Sequence, residues 1–101
     1  MATTGIFIVL GLGDLTQAPS PKSPSGFIYR RSIRLQEFGG ASKLDTDTRK
    51  SNALVATLFG KQAQTEFKPG KLVLASYRMS INQYQDLWFQ DIIITEIFPL
   101  K

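Results

Sequence analysis

Short apolar runs separated by turn-forming segments are the main pattern along the chain, and they predict β-strands. Five runs are rich in β-branched and aromatic residues, and each is too short for a typical helix or alternates between apolar and polar positions. Between the third and fourth runs, residues 61–67 have room for only one or two helical turns. The five predicted strands cover residues 5–13, 27–37, 52–59, 71–81 and 87–98.

The second predicted strand has one apolar face and one cationic face. Ile33 and Leu35 share one parity and should face the core. Arg30 and Arg34 share the other parity and should face the solvent. The alternation is irregular at residues 29–31, where a β-bulge would reset it.

The first predicted strand is apolar on both parities. This favours burial of both faces, either within the fold or against a second subunit. Three other segments are too rich in turn-forming or polar residues to be central strands. They are a connecting loop at 19–26, a polar loop at 38–51 and a hairpin turn at 82–86.

Five short strands in one small domain must protect their edges, and closing into a barrel does so. The 101 residues suffice for one domain but not for two. An OB-fold has the predicted order of elements, with a short helix between its third and fourth strands. The sequence therefore predicts one all-β domain over residues 1–101, a five-stranded OB-fold Greek-key barrel.

The residue types that most often perform catalysis are absent from the sequence. It contains no His and no Cys, which removes the usual general base, the usual zinc ligands, thiol chemistry and disulfides. The carboxylates are too dispersed to indicate a catalytic pair. Gly11 and Gly13 are not followed by the third glycine and the helix of a dinucleotide site. We therefore expect a binding protein, not an enzyme, with no cofactor and no metal.

The net charge is moderately basic, +4 from twelve Lys and Arg against eight Asp and Glu. Such an excess is compatible with a polyanionic partner and equally with an ordinary soluble surface. No stretch approaches the roughly 20 apolar residues of a membrane span. The apolar residues 5–12 are not preceded by the basic residues of a signal peptide. We expect a cytoplasmic protein that does not contact membranes.

Several segments resemble bacterial single-stranded DNA-binding proteins. Residues 58–63 (Leu-Phe-Gly-Lys-Gln-Ala) and 68–73 (Lys-Pro-Gly-Lys-Leu-Val) are similar to that family's strand ending in Phe-Gly-Lys, its helix and its Lys/Gly turn. The hairpin at 78–97 and the loop at 18–26 are also similar, and the loop looks equally like that of primosomal replication protein N, a tailless relative of the same fold. The resemblance spans nearly the whole chain and implies an OB-fold that binds single-stranded DNA.

The chain departs from this family in two respects. The family's flexible tail, with its acidic Phe-terminated tip, does not follow residue 101, so recruitment of other enzymes through such a tip is not expected. The third strand has Ala53 where the family usually has an aromatic residue, and Val55 where it has a basic one. These positions imply weaker or altered affinity for DNA. They leave open the alternative of an OB-fold protein-interaction or adaptor domain that does not bind nucleic acid.

A protein that binds single strands without sequence preference needs aromatic rings for the bases and cations for the phosphates. Phe59 matches the family's stacking phenylalanine, with a core residue at the strand end as an equal alternative. Phe38 has the parity of the two strand arginines, near the position where the family often carries a stacking Trp, so a stacking role is favoured.

Two aromatic candidates lie in the predicted hairpin. Tyr84 lies where the family hairpin carries a stacking aromatic, and a stacking role is favoured over a turn residue that caps the barrel. Trp88 is a further candidate, although a lone Trp at a strand start is more often in the core or at a subunit interface. The remaining phenylalanines are expected in the core or at an interface: Phe7, Phe27, Phe67, Phe89 and Phe98.

The candidate phosphate contacts are basic residues on predicted strands and loops. Arg30 and Arg34 are spaced along one strand face, with an ordinary solvated face as the alternative. Arg78 should point outward, since its parity is opposite to that of Val73 and Met79. The loop at 38–51 adds three more cations, Lys43, Arg49 and Lys50.

The expected partner is therefore single-stranded DNA, from which the sequence does not distinguish RNA. The resemblance also implies a homodimer or homotetramer assembled through the first strand, which would raise the affinity through effective concentration. It implies a role accessory to DNA replication, recombination or repair.

Overall fold

The computed structural model describes residues 3–38 and 53–100, except for the side chains of Asn82 and Tyr84. The elements within these residues follow the order β1 (Thr3–Leu12), β2 (Thr16–Pro19), β3 (Phe27–Glu37), β4 (Ala53–Phe59), α1 (Lys61–Gln64), β5 (Leu72–Tyr84) and β6 (Leu87–Pro99). The five predicted strands are confirmed as β1, β3, β4, β5 and β6. No helix in these two ranges is long and apolar enough to cross a membrane.

The strands form a closed barrel. Their order in the sheet is β1-β5-β6-β4-β3-β2, and a further pairing of β1 with β3 closes five of them into a ring. β4 and β6 are parallel, with Thr57 opposite Ile93, whereas the other pairs are antiparallel. The fold is therefore all-β and OB-like, as the sequence predicts, and closure gives each of the five barrel strands two neighbours.

The short strand β2 was not predicted. The sequence places Pro19 in a loop, but Pro19 is the last residue of β2 and pairs with Phe27 of β3. Proline is tolerated there because β2 pairs only with β3 and lies at an edge, where a missing N–H donor leaves no gap in the ladder. Residues 20–26 form the predicted connection, closed by a hydrogen bond from the Ser20 N–H to the Gly26 carbonyl oxygen (3.0 Å).

The predicted bulge at residues 29–31 is wrong. β3 pairs with β4 without interruption from Arg30 to Gln36, so Arg31 keeps the parity of the core residue Ile33 and is half-buried. A bulge occurs instead in β1, between Val9 and Gly11. It rotates the second half of β1, so that Gly11 lies opposite Arg34.

The interior is filled by inward residues of all five barrel strands, and in β6 a shift of register between Ile94 and Glu96 breaks their alternation. The core comprises Phe7 and Val9 of β1, Ile33 and Leu35 of β3, Ala56 and Leu58 of β4, Val73 and Ala75 of β5, and Ile94 and Ile97 of β6. α1 has four residues and does not reach Phe67, because the backbone is already extended at Thr65 (φ −79°, ψ 131°). Ala63 of α1 and the following Phe67 still join the core.

β5 and β6 form a long hairpin. Their pairing continues as far as Tyr84 and Leu87, so the turn comprises only Gln85 and Asp86 and is shorter than the predicted 82–86. Gln85 adopts a positive φ of 56° to make this turn. Ala75 is buried, but Met79 and Ile81, which share the inner side of the hairpin, are exposed. The outer half of the hairpin therefore extends beyond the packed core.

Candidate nucleic-acid interface

Two neighbouring strands present a mixed cationic, hydroxyl and aromatic surface to solvent. The inward residues Ile33 of β3 and Leu58 of β4 are fully buried, so the alternate positions of these two strands point outward. Across the ladder the outward residues pair as Arg30 with Phe59, Ser32 with Thr57, and Arg34 with Val55. We call these six residues the β3–β4 face.

Phe59 and Arg30 lie side by side on the β3–β4 face. They are directly opposite in the ladder, a position in which Cβ atoms are about 4.5–5.5 Å apart. Phe59 is half-buried and does not belong to the core cluster, whereas Arg30 is exposed. An aromatic ring and a guanidinium group are therefore adjacent on one accessible surface, the pair that base stacking and phosphate contact require.

The guanidinium group of Arg34 lies over the backbone of β1. A Cβ atom built on Gly11 would collide with Nη2 of Arg34, and would lie 3.3 Å from its Cζ and 3.4 Å from its Nε. Gly13 is similarly close to the Oγ of Ser32. The bulge in β1 brings Gly11 opposite Arg34, and the missing side chain leaves room for the guanidinium group. Gly11 therefore supports the orientation of a cation at one edge of the β3–β4 face.

Arg78 extends the same outer surface across β6 and β5. Ser32 pairs with Thr57, Thr57 with Ile93, and Ile93 with Arg78, so these residues form one row over four strands. Neighbouring strands are about 4.8 Å apart, which places Arg78 roughly 10 Å from Thr57 along this row. Arg78 is exposed, as its parity predicts.

An open groove of about 560 Å³ lies between the β3–β4 face and the start of β6. Its lining combines one cation, two hydroxyl groups, two aliphatic residues, an amide and a carboxylate. These residues are Arg30, Ser32, Val55, Thr57, Gln90, Asp91 and Ile92. The sequence did not indicate the residues of β6 in this groove, because only the parallel pairing of β4 with β6 brings the two strands together.

Phe38 is exposed but does not lie beside Phe59. It follows β3 directly, with half of its surface exposed (50%), and its N–H donates a hydrogen bond to the carbonyl oxygen of Ile6 (3.0 Å). Eight residues separate it from Arg30, which corresponds to about 26 Å along an extended strand. Phe38 and Phe59 therefore lie at opposite ends of β3, and a common ligand would have to run along the strand.

Trp88 lies near the tip of the long hairpin. Its side chain is 67% exposed, so it does not belong to the core of this chain. It shares the inner side of the hairpin with Met79 and Ile81. Of the phenylalanines expected in the core or at an interface, Phe7 and Phe67 are in the core, and Phe27 is half-buried. Phe89 and Phe98 are exposed, so for them only the interface remains as a prediction.

Four of the predicted site residues have side chains outside the described part of the structure. Lys43, Arg49 and Lys50 lie outside the described residues. Tyr84 is the last residue of β5 rather than part of the turn, opposite Leu87. Within the described ranges, no group of three His, Cys, Asp or Glu residues could hold a metal ion.

Comparison with known proteins adds no assignment. No protein-family model matches the chain, and no curated protein matches it.

Proposed function

We propose that the chain binds single-stranded DNA, largely without sequence preference, as an accessory to DNA replication, recombination or repair. The observation that carries this proposal is the direct pairing of Phe59 with Arg30 on the exposed side of an OB-like barrel. A base that stacks on the ring of Phe59 has its backbone within reach of the guanidinium group. Base–aromatic stacking contributes about 1–3 kcal/mol per base and tolerates any base.

The remaining cations and rings define a path for the strand. Arg34 lies in the row next to the central row of the face, and Arg78 lies at the far end of that central row, where each can contact a phosphate. Phe38 at the end of β3 and Trp88 on the hairpin offer further stacking positions. Binding involves no chemical step, and single-stranded RNA presents the same bases and phosphates.

Assembly of several copies through β1 remains part of the proposal. Ile6 and Leu10 of β1 and Phe98 of β6 are exposed apolar side chains. Ile6 pairs with Leu74, and Leu74 pairs with Phe98. Ile6, Leu74 and Phe98 therefore form one apolar row on the outside of the barrel. Covering this row in a dimer or tetramer leaves the β3–β4 face free, and several linked faces would raise the affinity for a long strand.

The alternative is an OB-fold adaptor that binds protein and not nucleic acid. The observation that favours it is the apolar exposure of the hairpin, where Ile81 and Trp88 are each 67% exposed. Exposed apolar patches commonly mark protein–protein contacts. Val55, in the middle of the β3–β4 face, also supplies an apolar side chain where the related family has a basic one.

A fluorescence anisotropy titration of labelled oligo-dT at several salt concentrations separates the two functions. DNA binding predicts micromolar or tighter affinity that falls with salt, and that weakens in Phe59→Ala or Tyr84→Ala. The adaptor predicts anisotropy that stays flat even at low salt. Circular dichroism of each variant shows whether the barrel is intact.

A further inference from the structure

Asp91 places a carboxylate in the groove beside the β3–β4 face. It lies on the outer side of β6, opposite Ser80, and is exposed. A phosphate backbone repels a carboxylate, so Asp91 opposes binding unless a ligand brings N–H donors to it. The base edges of a nucleic acid are the part of the ligand that carries such donors.

The carboxylate of Asp91 narrows the choice of base. An ionised carboxylate has two oxygen atoms that accept hydrogen bonds and none that donate. The amide of the preceding residue, Gln90, lies on the inner side of the hairpin, where it donates a hydrogen bond to the Sδ of Met79 (2.8 Å). The outer side of β6 therefore offers the groove a pair of adjacent acceptors.

Guanine has the complementary pair of groups. Its N1–H and N2–H₂ donors are adjacent and can both bind one carboxylate. Thymine presents one N–H between two carbonyl oxygen atoms, and a carboxylate repels both of these oxygen atoms. Adenine and cytosine present one amino group next to an unprotonated ring nitrogen atom. Guanine is thus the base that satisfies both oxygen atoms of Asp91 at once.

The groove also has a surface for the plane of the base and a cation for its phosphate. Val55 and Asp91 line the same groove, and each lies two residues before the pair of Thr57 with Ile93. Val55 is 61% exposed, so its methyl groups can pack on the base. Arg30 lines the same groove, and its guanidinium group can contact the adjoining phosphate.

We propose that this groove is a base subsite selective for guanine in single-stranded DNA, with Asp91 as the residue that determines the selectivity. The two carboxylate oxygen atoms of Asp91 accept hydrogen bonds from N1–H and N2–H₂ of the base. This inference rests on the proposed function and adds a preference at one nucleotide of an otherwise unselective path. The groove volume of about 560 Å³ lies within the range of small-molecule sites.

The test compares three ten-nucleotide strands: alternating thymine–guanine, alternating thymine–hypoxanthine, and oligo-dT. Hypoxanthine lacks only the 2-amino group of guanine, so stacking and charge are matched. The wild-type chain should bind the guanine strand about fivefold or more tightly than the hypoxanthine strand, the lower end for a bidentate base contact. In Asp91→Asn this ratio should fall close to one, while affinity for oligo-dT holds or rises.

Asp86→Asn is the matched control, because it removes the same charge at the hairpin turn and not in the groove. It should keep the wild-type ratio. Equal affinity of the wild-type chain for the guanine and hypoxanthine strands, with clear binding of oligo-dT, overturns the subsite and leaves the proposed function standing. A ratio retained in Asp91→Asn also overturns it. Failure to bind any of the three strands overturns the proposed function and the subsite together.

Discussion

The salt dependence of binding provides a quantitative test of the arginines on the outer surface. Each phosphate neutralised on a single strand contributes about −0.7 to the slope of log affinity against log salt. Arg30, Arg34 and Arg78 are exposed on one continuous surface, so together they contribute about −2.1 to that slope. Raising the salt from about 50 to about 200 mM then weakens binding about 18-fold through these three contacts.

Replacing Arg30 with Gln should remove one contact and keep a polar side chain of similar length. The slope should become less negative by about 0.7. The loss of affinity between about 50 and about 200 mM salt, which is about 18-fold for the three arginines, then becomes about sevenfold for the two that remain. This difference does not depend on how many other cations contact the strand, which makes it a better measure than the absolute slope. The assay is anisotropy of labelled oligo-dT across that range of salt.

Lys22→Gln is the control for total charge, since Lys22 is an exposed cation in the connection between β2 and β3. It should leave the slope within error of the wild-type value. A slope that does not change in Arg30→Gln, or that changes equally in both variants, would refute the assignment of Arg30 to a phosphate contact. The binding would then reflect only the net charge of the chain.

Three further substitutions separate stacking, positioning and stability. Phe59→Leu keeps an apolar side chain and removes the ring, so affinity for oligo-dT should fall by about 5- to 150-fold, equivalent to about 1–3 kcal/mol. The urea midpoint of unfolding should change little. A variant that loses stability but keeps its affinity for oligo-dT contradicts a stacking role. Gly11→Ala should displace the guanidinium group of Arg34 and weaken binding of oligo-dT. In an Arg34→Gln background it should have no added effect, as a double-mutant cycle measures. Equal effects in both backgrounds would show that Gly11 does not position Arg34. Leu58→Ala should lower the free energy of unfolding by about 2–5 kcal/mol, whereas Val55→Ala should change it by about 0.5 kcal/mol or less. Urea denaturation measures both changes. Similar values for the two variants would contradict the assignment of the inward and outward faces of β4.

The parts of the fold that follow from local pattern were predictable. The alternation around Ile33 and Leu35 assigns the two sides of β3, because successive side chains of a strand point to opposite faces. Burial of these two residues and exposure of Arg30 and Arg34 agree with that assignment. The barrel followed from the number and order of the strands.

The features that depend on pairing between distant strands were not predictable. The bulge in β1 is set by how β1 meets β3, and the irregular pattern at residues 29–31 pointed to the wrong strand. Pro19 argued for a loop, although an edge strand also accepts proline. Met79 has the parity of a core residue but is exposed, because the hairpin extends beyond the core at that point. Parity alone does not show how far along a strand the packed core continues.

The candidate site likewise combines residues that the local pattern predicts with contacts that depend on the pairing of distant strands. Arg30 and Phe59 are each suggested by the sequence, but their direct pairing depends on the register of β3 with β4. Asp91 had no signal of its own, because the parallel contact between β4 and β6 joins segments more than thirty residues apart. A pattern within one strand identifies which residues point outward, whereas the register decides which of them share a ligand.

The most direct test of the central claim is the map of backbone amide chemical shifts on addition of oligo-dT to isotopically labelled protein. We predict that the largest changes fall on the outward residues of the β3–β4 face, led by Arg30, Thr57 and Phe59, while Ile6 and Leu74 on the apolar row change little. Changes concentrated on that apolar row, or no changes at all at saturating DNA, would contradict the claim that this face binds single-stranded DNA.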